Sequence, residues 1–234
     1  MNASTSPLPT GPDTSVVTAD PADLETLSQV IADAFHDLPQ SEWLIPDTAA
    51  RSEIFPHYFQ LYVEHALADG VVHTTPGRTA VALWVPGGPD APGPPAGYGD
   101  RLAEVTGRWA YRCRAFDATL DKHAPTFPHH HLAILAVRPD LQNQGLGSAL
   151  LHAHHHTLDH ETHLPAYLEA STPRTRDLYY RHGYRGETPF YLPDGGAPMW
   201  PMVREPTGQG TAPSHTKQPG PLPRRRLRPP GAAL

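Results

Sequence analysis

The stretch Leu132–Leu151 reads LAILAVRPDLQNQGLGSALL and combines an apolar run, a short turn and the start of a helix. Its apolar run predicts a buried strand, because the run is short and is followed by the turn residue Pro139. A helix start leaves about four N–H groups without intrahelical partners and carries a partial positive charge. The segment Gln142–Gly147 therefore predicts a backbone site for an anion such as a pyrophosphate.

The two glycines of this turn favour a close approach of phosphate to the backbone. Gly145 and Gly147 lack a Cβ atom, and Gln142 adds an amide donor beside them. No Gly-Lys-Ser/Thr follows, which excludes a Walker A loop, and the third glycine and distant acidic residue of a Rossmann fingerprint are missing. The alternative is that the two glycines only allow a tight turn between strand and helix and that no ligand binds there.

The rest of the chain alternates predicted helices and strands. The helices run from Asp20 to Pro39, over Ala50–Asp69, Asp100–Leu120 and Gly145–Glu161, and from Thr172 to Gly183. The strands cover Ser15–Thr18, Val71–Thr74, Thr79–Val85, His130–Val137, Pro165–Ser171, Tyr184–Leu192 and Met199–Glu205. This order predicts an α/β (α+β) domain with a mixed, partly parallel sheet. The Pro- and Gly-rich segment Pro86–Gly99 predicts a loop.

The two ends of the 234-residue chain differ in composition from its centre. Residues 1–13 are rich in Ser, Thr and Pro and predict a disordered segment without a signal peptide. Residues 206–234 contain seven prolines and a net charge of +5, which predicts a disordered basic tail. One folded domain is expected between them, over residues 14–205.

Charge and cysteine content limit the partners and the compartment. The chain carries a formal charge of −6, so residues 1–205 carry −11, which argues against nucleic-acid binding by the folded domain. An acidic body mildly favours a cationic substrate. The single cysteine, Cys113, excludes an internal disulfide and predicts a cytoplasmic protein. No apolar run is long enough to predict a membrane span, and monomer and homodimer both stay open.

Four sequence features occur in one order along the second half of the chain. They are Val137-Arg138-Pro139, Gln142-x-x-Gly145-x-Gly147, the strand Tyr167–Ser171 and the sequence LYYRHGY at 178–184. Together they resemble motifs A and B of the GNAT superfamily of acetyl-CoA-dependent N-acetyltransferases. The resemblance implies the GNAT fold, a mixed central sheet of about six to seven strands flanked by helices. Tyr184 stands where the family pattern has Phe.

The resemblance also implies which residues hold acetyl-CoA and which act in catalysis. Tyr179 corresponds to the general acid beside the sulfur, with a packing role for Tyr179 or Tyr180 as the alternative. Glu169 is the candidate general base, with a positioning role as the alternative. Cofactor-binding residues are expected on the central strand and in the pyrophosphate loop; they are Leu135, Ala136, Val137, Gln142, Asn143, Gln144, Gly145, Leu146, Gly147 and Ser148.

A closer resemblance, to the puromycin N-acetyltransferases and their actinobacterial relatives, concerns the acceptor. It is carried by GLGSALL at 145–151, by LEAS at 168–171 and by MWPM at 199–202, while Thr172 and Thr175 stand where relatives have Asn. The resemblance implies a small-molecule amine as acceptor, such as an antibiotic or another secondary metabolite. The aromatic candidates for substrate contact are Phe35, Trp43 and Trp84, with ordinary core packing as the alternative. The resemblance also implies that the loop Pro86–Gly99 covers the substrate site. Acetylation of a protein N-terminus or lysine, and a non-catalytic acyl-CoA-binding module, are the alternatives.

Two groups of histidines suggest further chemistry. His129, His130 and His131 lead into the central strand, and a neutral histidine is suited to accept a proton near pH 7. His152, His156 and His160 recur at intervals of four and share one helix face. A metal site would need further ligands, so a solvated helix face is expected there and no metal.

Overall fold

A seven-stranded sheet in the order β1-β2-β3-β4-β5-β7-β6 forms the centre of the computed structural model, which describes residues 11–186 and 188–207. The strands are β1 (Val17–Thr18), β2 (Val71–Thr74), β3 (Ala80–Gly87), β4 (His129–Val137), β5 (Ala166–Ala170), β6 (Phe190–Tyr191) and β7 (Pro198–Arg204). Neighbouring strands are antiparallel except β4 and β5, which are parallel. The predicted mixed α/β fold is confirmed.

Helices cover both faces of this sheet and bury a large hydrophobic core on each. They are α1 (Leu24–Phe35), α2 (Pro39–Leu44), α3 (Thr48–Asp69), α4 (Tyr98–Thr106), α5 (Ala110–His123), α6 (Leu146–Thr157) and α7 (Pro173–Arg181). On the first face, Ile31 and Phe55 pack against Leu83 and Ile134 of the sheet. The second core contains residues of α6 and α7 together with Leu132 of β4. The central strands are therefore covered on both sides, as their apolar sequence predicts.

A β-bulge in β4 changes which face its side chains reach. Leu83 pairs with Ile134 and Trp84 pairs with Leu132, so Ala133 is an extra residue on β4. Leu132 consequently lies in the second core, whereas Ile134 lies in the first. An extra residue reverses the alternation of the strand, and the residues after the bulge are turned accordingly.

Two predicted helix boundaries differ from the structure. Helix α1 ends at Phe35, and Pro39 begins the short α2 instead of ending a helix. Proline is compatible with a first helical turn, because its missing N–H has no intrahelical partner there. The predicted helix Asp100–Leu120 is divided into α4 and α5 at Gly107, whose φ of 52° lies in the left-handed region.

The predicted strand Tyr184–Leu192 is also shorter than expected. Only Phe190–Tyr191 forms a regular strand, and an isolated bridge joins Arg185 to Val203. Tyr184 is instead fully buried, edge-on to Tyr179 with ring centroids 5.6 Å apart. Packing of this aromatic ring into the second core therefore takes precedence over continuous strand pairing.

The two predicted disordered ends fall almost wholly outside the described residues. Of these segments the structure describes only residues 11–13 and 206–207. Among the helices between residues 11 and 207, none is both long and apolar enough to cross a lipid bilayer.

Two buried histidines lie in the second core without a carboxylate partner. Trp84 stacks on His154 with ring centroids 4.0 Å apart, and His155 shares a 3.0 Å hydrogen bond with the hydroxyl of Tyr184. Burial, reinforced by neighbouring positive or titratable groups, lowers the pKa of His154 to about 2 and the pKa of His155 to about 3. Both rings are therefore neutral in the folded protein at neutral pH.

These histidines predict a loss of stability in mild acid. In the unfolded chain a histidine binds a proton below pH 6.5, its usual pKa being about 6.5. In the folded protein the two buried rings bind a proton only at a much lower pH. The stability contributed by the two neutral histidines should be complete above pH 6.5. Below that pH the free energy of unfolding should fall by up to ~1.4 kcal/mol per pH unit for each histidine, as the pH drops towards 3. Urea unfolding at pH 7.5, 6 and 5 measures this slope.

His155→Gln keeps a polar partner for Tyr184 and should flatten that slope, whereas exposed His152→Gln is the matched control and should not. Equal slopes for wild type and H155Q would contradict the assignment.

Candidate active site

The parallel strands β4 and β5 separate beyond a short paired segment. They pair only at His130–Ala166 and His131–Tyr167, yet β4 continues to Val137 and β5 to Ala170. A gap therefore opens between the carboxyl-terminal halves of two central strands. Backbone groups that face this gap have no partner strand, and strand geometry makes them available to an extended ligand.

The bulge in β4 decides which backbone groups face the gap. The N–H of Arg138 donates to the carbonyl of Thr79 at 2.9 Å, on the side of β3. Because successive residues point their N–H groups to opposite sides of a strand, those of Val137 and Leu135 face the gap. The N–H group of Ala136 faces β3. Of the three strand residues predicted to bind the cofactor, two therefore offer their N–H groups to a ligand.

The loop after β4 presents a row of free N–H groups. The first helical hydrogen bond of α6 joins the N–H of Ala149 to the carbonyl of Gly145 at 3.0 Å. For the N–H groups of residues 143–148, residues 11–186 and 188–207 supply no acceptor. Asn143 and Gly145 have φ angles of 63° and 89°, which curl the chain around this row. The positive end of α6 adds to the attraction for an anion.

Side chains of the loop stabilise the loop itself. The amide of Gln142 donates to the carbonyl of Val137 at 3.2 Å, and the amide of Gln144 donates to the carbonyl of Asp140 at 3.3 Å. The guanidinium of Arg174, at the start of α7, donates to Asn143. The predicted loop residues therefore come together, with their backbone rather than their side chains turned to the anion site.

Two residues that replace Asn of the relatives have a structural role. Thr172 caps α7 by accepting from the N–H of Thr175 at 3.1 Å, and the hydroxyl of Thr175 accepts from the N–H of Thr172 at 3.0 Å. This reciprocal capping box fixes the start of the helix that carries Tyr179.

The neighbouring tyrosines of α7 have different environments. The hydroxyl of Tyr180 donates to the carbonyl of Gly186 at 2.5 Å, so Tyr180 is bonded to the backbone. Tyr179 packs in the second core beside Tyr184, and the residues that the structure describes give its hydroxyl no hydrogen bond. Burial raises the pKa of Tyr179 well above its usual range, so its hydroxyl keeps its proton at neutral pH.

On the opposite face of the sheet, Glu169 and His131 form a pair at the point where the gap begins. The carboxylate oxygen Oε2 of Glu169 lies 2.9 Å from Nε2 of His131. The Glu169 side chain is 5 % exposed and that of His131 is 23 % exposed. His131 also lines an open groove of about 390 Å³, formed by Pro86–Pro89 and by Asp121 and residues 124–126.

Sequence reasoning missed most of this groove. The start of the segment Pro86–Gly99 was predicted to cover the substrate site, and its first residues do line the groove. The residues after α5 gave no signal, because their part in the groove depends on how α5 packs against the sheet.

The predicted aromatic substrate contacts do not meet at this groove. Phe35 packs edge-on against Phe59 in the first core, with ring centroids 5.6 Å apart. Trp43 donates from Nε1 to the carbonyl of Pro193 at 3.1 Å. Trp84 is 1 % exposed in the second core. All three have the surroundings of packing residues.

The histidine-rich face of α6 is largely exposed. His156 stacks on His160 with ring centroids 4.3 Å apart, and His152 lies beside His182 at 4.8 Å. The part of the chain that the structure describes contains no group of three or more His, Cys, Asp or Glu side chains placed to hold a metal ion.

Comparison with known proteins bears on this geometry. Residues 97–186 match a family model described as an acetyltransferase (GNAT) domain. A solved structure from Corynebacterium glutamicum, described as histone acetyltransferase HPA2 and related acetyltransferase, is 26% identical, with 84% of this chain and 98% of that chain covered and a TM-score of 0.58.

Two other solved structures share the fold at lower identity. Arylalkylamine N-acetyltransferase 2 from Aedes aegypti is 12% identical, with 82% of this chain and 98% of that chain covered and a TM-score of 0.56. A polyamine N-acetyltransferase from Drosophila melanogaster is 14% identical, with 82% and 100% covered and a TM-score of 0.51. Residues 97–186 are therefore similar to a GNAT acetyltransferase domain, and the seven-stranded mixed sheet flanked by helices is consistent with the GNAT fold.

A charge placed at the loop tests the anion site. Gln144 is exposed, so Gln144→Glu should change the free energy of unfolding by less than about 0.5 kcal/mol. A negative charge on this loop would lie near an anion held by the backbone N–H groups, and should weaken binding of the pyrophosphate of coenzyme A by about tenfold, less so at high salt. Calorimetric titration with coenzyme A at low and high salt measures the loss of affinity and its salt dependence.

Thr26→Glu adds the same charge to an exposed position of α1 and is the matched control. Equal affinity of Q144E and T26E would exclude the loop as the anion site.

Proposed function

We propose that this protein is an acetyl-CoA-dependent N-acetyltransferase that acts on the primary amine of a small molecule, by direct transfer in a ternary complex. One observation carries the proposal: the gap between β4 and β5 connects a row of free N–H groups at one end with the His131–Glu169 pair at the other. This is the arrangement that an extended thioester with a pyrophosphate at its far end requires.

Different backbone groups of the chain would bind different parts of acetyl-CoA. The N–H groups of residues 143–148 would hold the pyrophosphate. Those of Leu135 and Val137 would bind the extended pantetheine arm as a partner strand does. From Val137 to His131 the strand spans ~20 Å at about 3.3 Å per residue, and this length separates the pyrophosphate site from the reacting group.

Tyr179 and Glu169 would serve the chemical step from the two sides of the gap. The departing thiolate of coenzyme A gains from a proton donor, and Tyr179 has a protonated hydroxyl without a described partner. Glu169 lies on β5, which borders the gap. Phe35, Trp43 and Trp84 stay predictions as substrate contacts, although their packing favours a structural role.

The dimensions of the groove support a small acceptor. At about 390 Å³ it lies within the range of small-molecule sites, about 300–1,000 Å³. Agmatine, polyamine and arylalkylamine acetyltransferases share the fold, and the closer sequence resemblance suggests an antibiotic or another secondary metabolite. Protein acetylation is the second candidate, because the Corynebacterium structure is described as a histone acetyltransferase and related acetyltransferase.

A thiol-release assay tests the activity. The purified protein, incubated with acetyl-CoA and a panel of polyamines, arylalkylamines and aminonucleoside antibiotics, should release coenzyme A with at least one acceptor. Peptides with a free N-terminus or a lysine form the second arm, and a preference for them would favour protein acetylation. Acetyl-CoA binding without release in either arm would indicate a non-catalytic acyl-CoA-binding module.

Substitution of Tyr179 tests its role as general acid. Tyr179→Phe should lower kcat by a factor of about 100, the lower end of general acid catalysis, with little change in acetyl-CoA affinity. Tyr180→Phe is the matched control: it removes the hydrogen bond to Gly186 and should cost about 1 kcal/mol of stability while kcat is retained. An unchanged kcat in Y179F would exclude the acid role.

A further inference from the structure

We propose that His131 is the general base that accepts the proton of the attacking amine and that Glu169 is its positioning residue; the inference rests on the proposed acetyltransferase function. The sequence offered Glu169 and three consecutive histidines as bases. The structure distinguishes these four side chains by face, by exposure and by hydrogen-bond partners.

His129 is held in place by the backbone. Its Nδ1 lies 2.8 Å from the carbonyl of Phe127, and the residue is 4 % exposed. Its Nε2 packs closely against Gly87, because a Cβ atom added to this glycine would lie 2.2 Å from the nitrogen. His129 also borders the groove of about 390 Å³, but its ring is far less exposed than that of His131.

His130 points to the other face of the sheet. Its Nδ1 lies 2.9 Å from Nε2 of His154, whose Nδ1 lies 3.2 Å from Nε2 of His73. This chain of three rings lies beside Trp84 in the second core. Burial lowers the pKa of both His73 and His130, so neither ring holds a charge at neutral pH.

His131 is the accessible member of the triplet. Its side chain is 23 % exposed and lines the groove of about 390 Å³. A carboxylate can only accept hydrogen bonds, so in the proposed pair Nε2 of His131 donates to Oε2 of Glu169 at 2.9 Å. Nδ1 consequently keeps its lone pair, and the described residues provide no donor to it.

Titratable groups of three elements surround His131. Glu169 faces it from β5 together with the ring of Tyr167, 5.4 Å away. His129 is its neighbour on β4, at 6.3 Å between ring centroids, and Asp121 of α5 lines the same groove. A buried carboxylate that orients a histidine and balances its developing charge is the principle of the Ser-His-Asp triad.

His131 is also placed where the reacting atoms would meet. It is the last residue of β4 that pairs with β5, so it lies where the gap begins. The C–N bond forms and the C–S bond breaks there; the proton leaves the amine nitrogen for Nδ1 of His131. The sulfur takes a proton from Tyr179, which regains one from solvent, and His131 releases its proton to solvent after the product leaves.

The pH dependence of His131→Gln tests the inference. Wild-type kcat/KM should decline on the acid side as His131 becomes protonated. In H131Q kcat should be about 100-fold lower, the acid limb should disappear, and acetyl-CoA affinity by calorimetry should be retained. Added imidazole should restore part of the activity of H131A. A positioning role for Glu169 predicts that E169Q retains a limb, displaced to lower pH, with a smaller loss than H131Q.

His130→Gln is the matched control from the same triplet, with thermal unfolding as the check of its fold, and should keep the acid limb. An H131Q variant with wild-type kcat and an intact limb would overturn the inference, as would an E169Q variant that alone loses the limb. Wild-type protein inactive with every amine would contradict the proposed function instead, which separates the two failures.

Discussion

The separation of β4 and β5 is the constraint on which the rest of this structure depends. Two central parallel strands that stop pairing leave backbone donors and acceptors without partners, and an unsatisfied buried group costs about 1–3 kcal/mol. His130 and His131 avoid this cost, because they pair with β5. Beyond it, the free groups are tolerable where solvent or a ligand can reach them. The strand order β4-β5-β7 keeps this gap at the centre of the sheet, between two cores.

The bulge at Ala133 connects the core to the gap. The extra residue reverses the alternation of the strand, which places Ile134 in the first core. The same reversal directs the N–H groups of Leu135 and Val137 towards β5. One extra residue therefore determines both the packing and the binding edge of the strand. The anion loop follows directly, so the distance between the loop and His131 is fixed by a rigid strand. Such a scaffold can hold an extended co-substrate in one register.

Much of the fold follows from local patterns. The strand at 129–137, the loop 142–147 and the helix after it were predicted because strand runs, glycines and helix starts are short-range signals. The helix break at Gly107 and the short strand Phe190–Tyr191 were not, because both depend on contacts with distant elements. Tyr179 could be chosen from the family pattern, but only the structure shows that the Tyr180 hydroxyl is bonded to Gly186 while the described residues give the Tyr179 hydroxyl no partner.

The sequence by itself determined the chemistry on offer: a turn with free N–H groups, a tyrosine on the following helix, a carboxylate on a strand and three adjacent histidines. Only the tertiary structure decided which of these groups work together. Glu169 and His131 lie 38 residues apart in the chain. They meet because the parallel pairing sets Tyr167 opposite His131, which places Glu169, two residues further along β5, on the same face of the sheet. Register and face are set by packing between elements, and a linear pattern of residue types carries that information only in part.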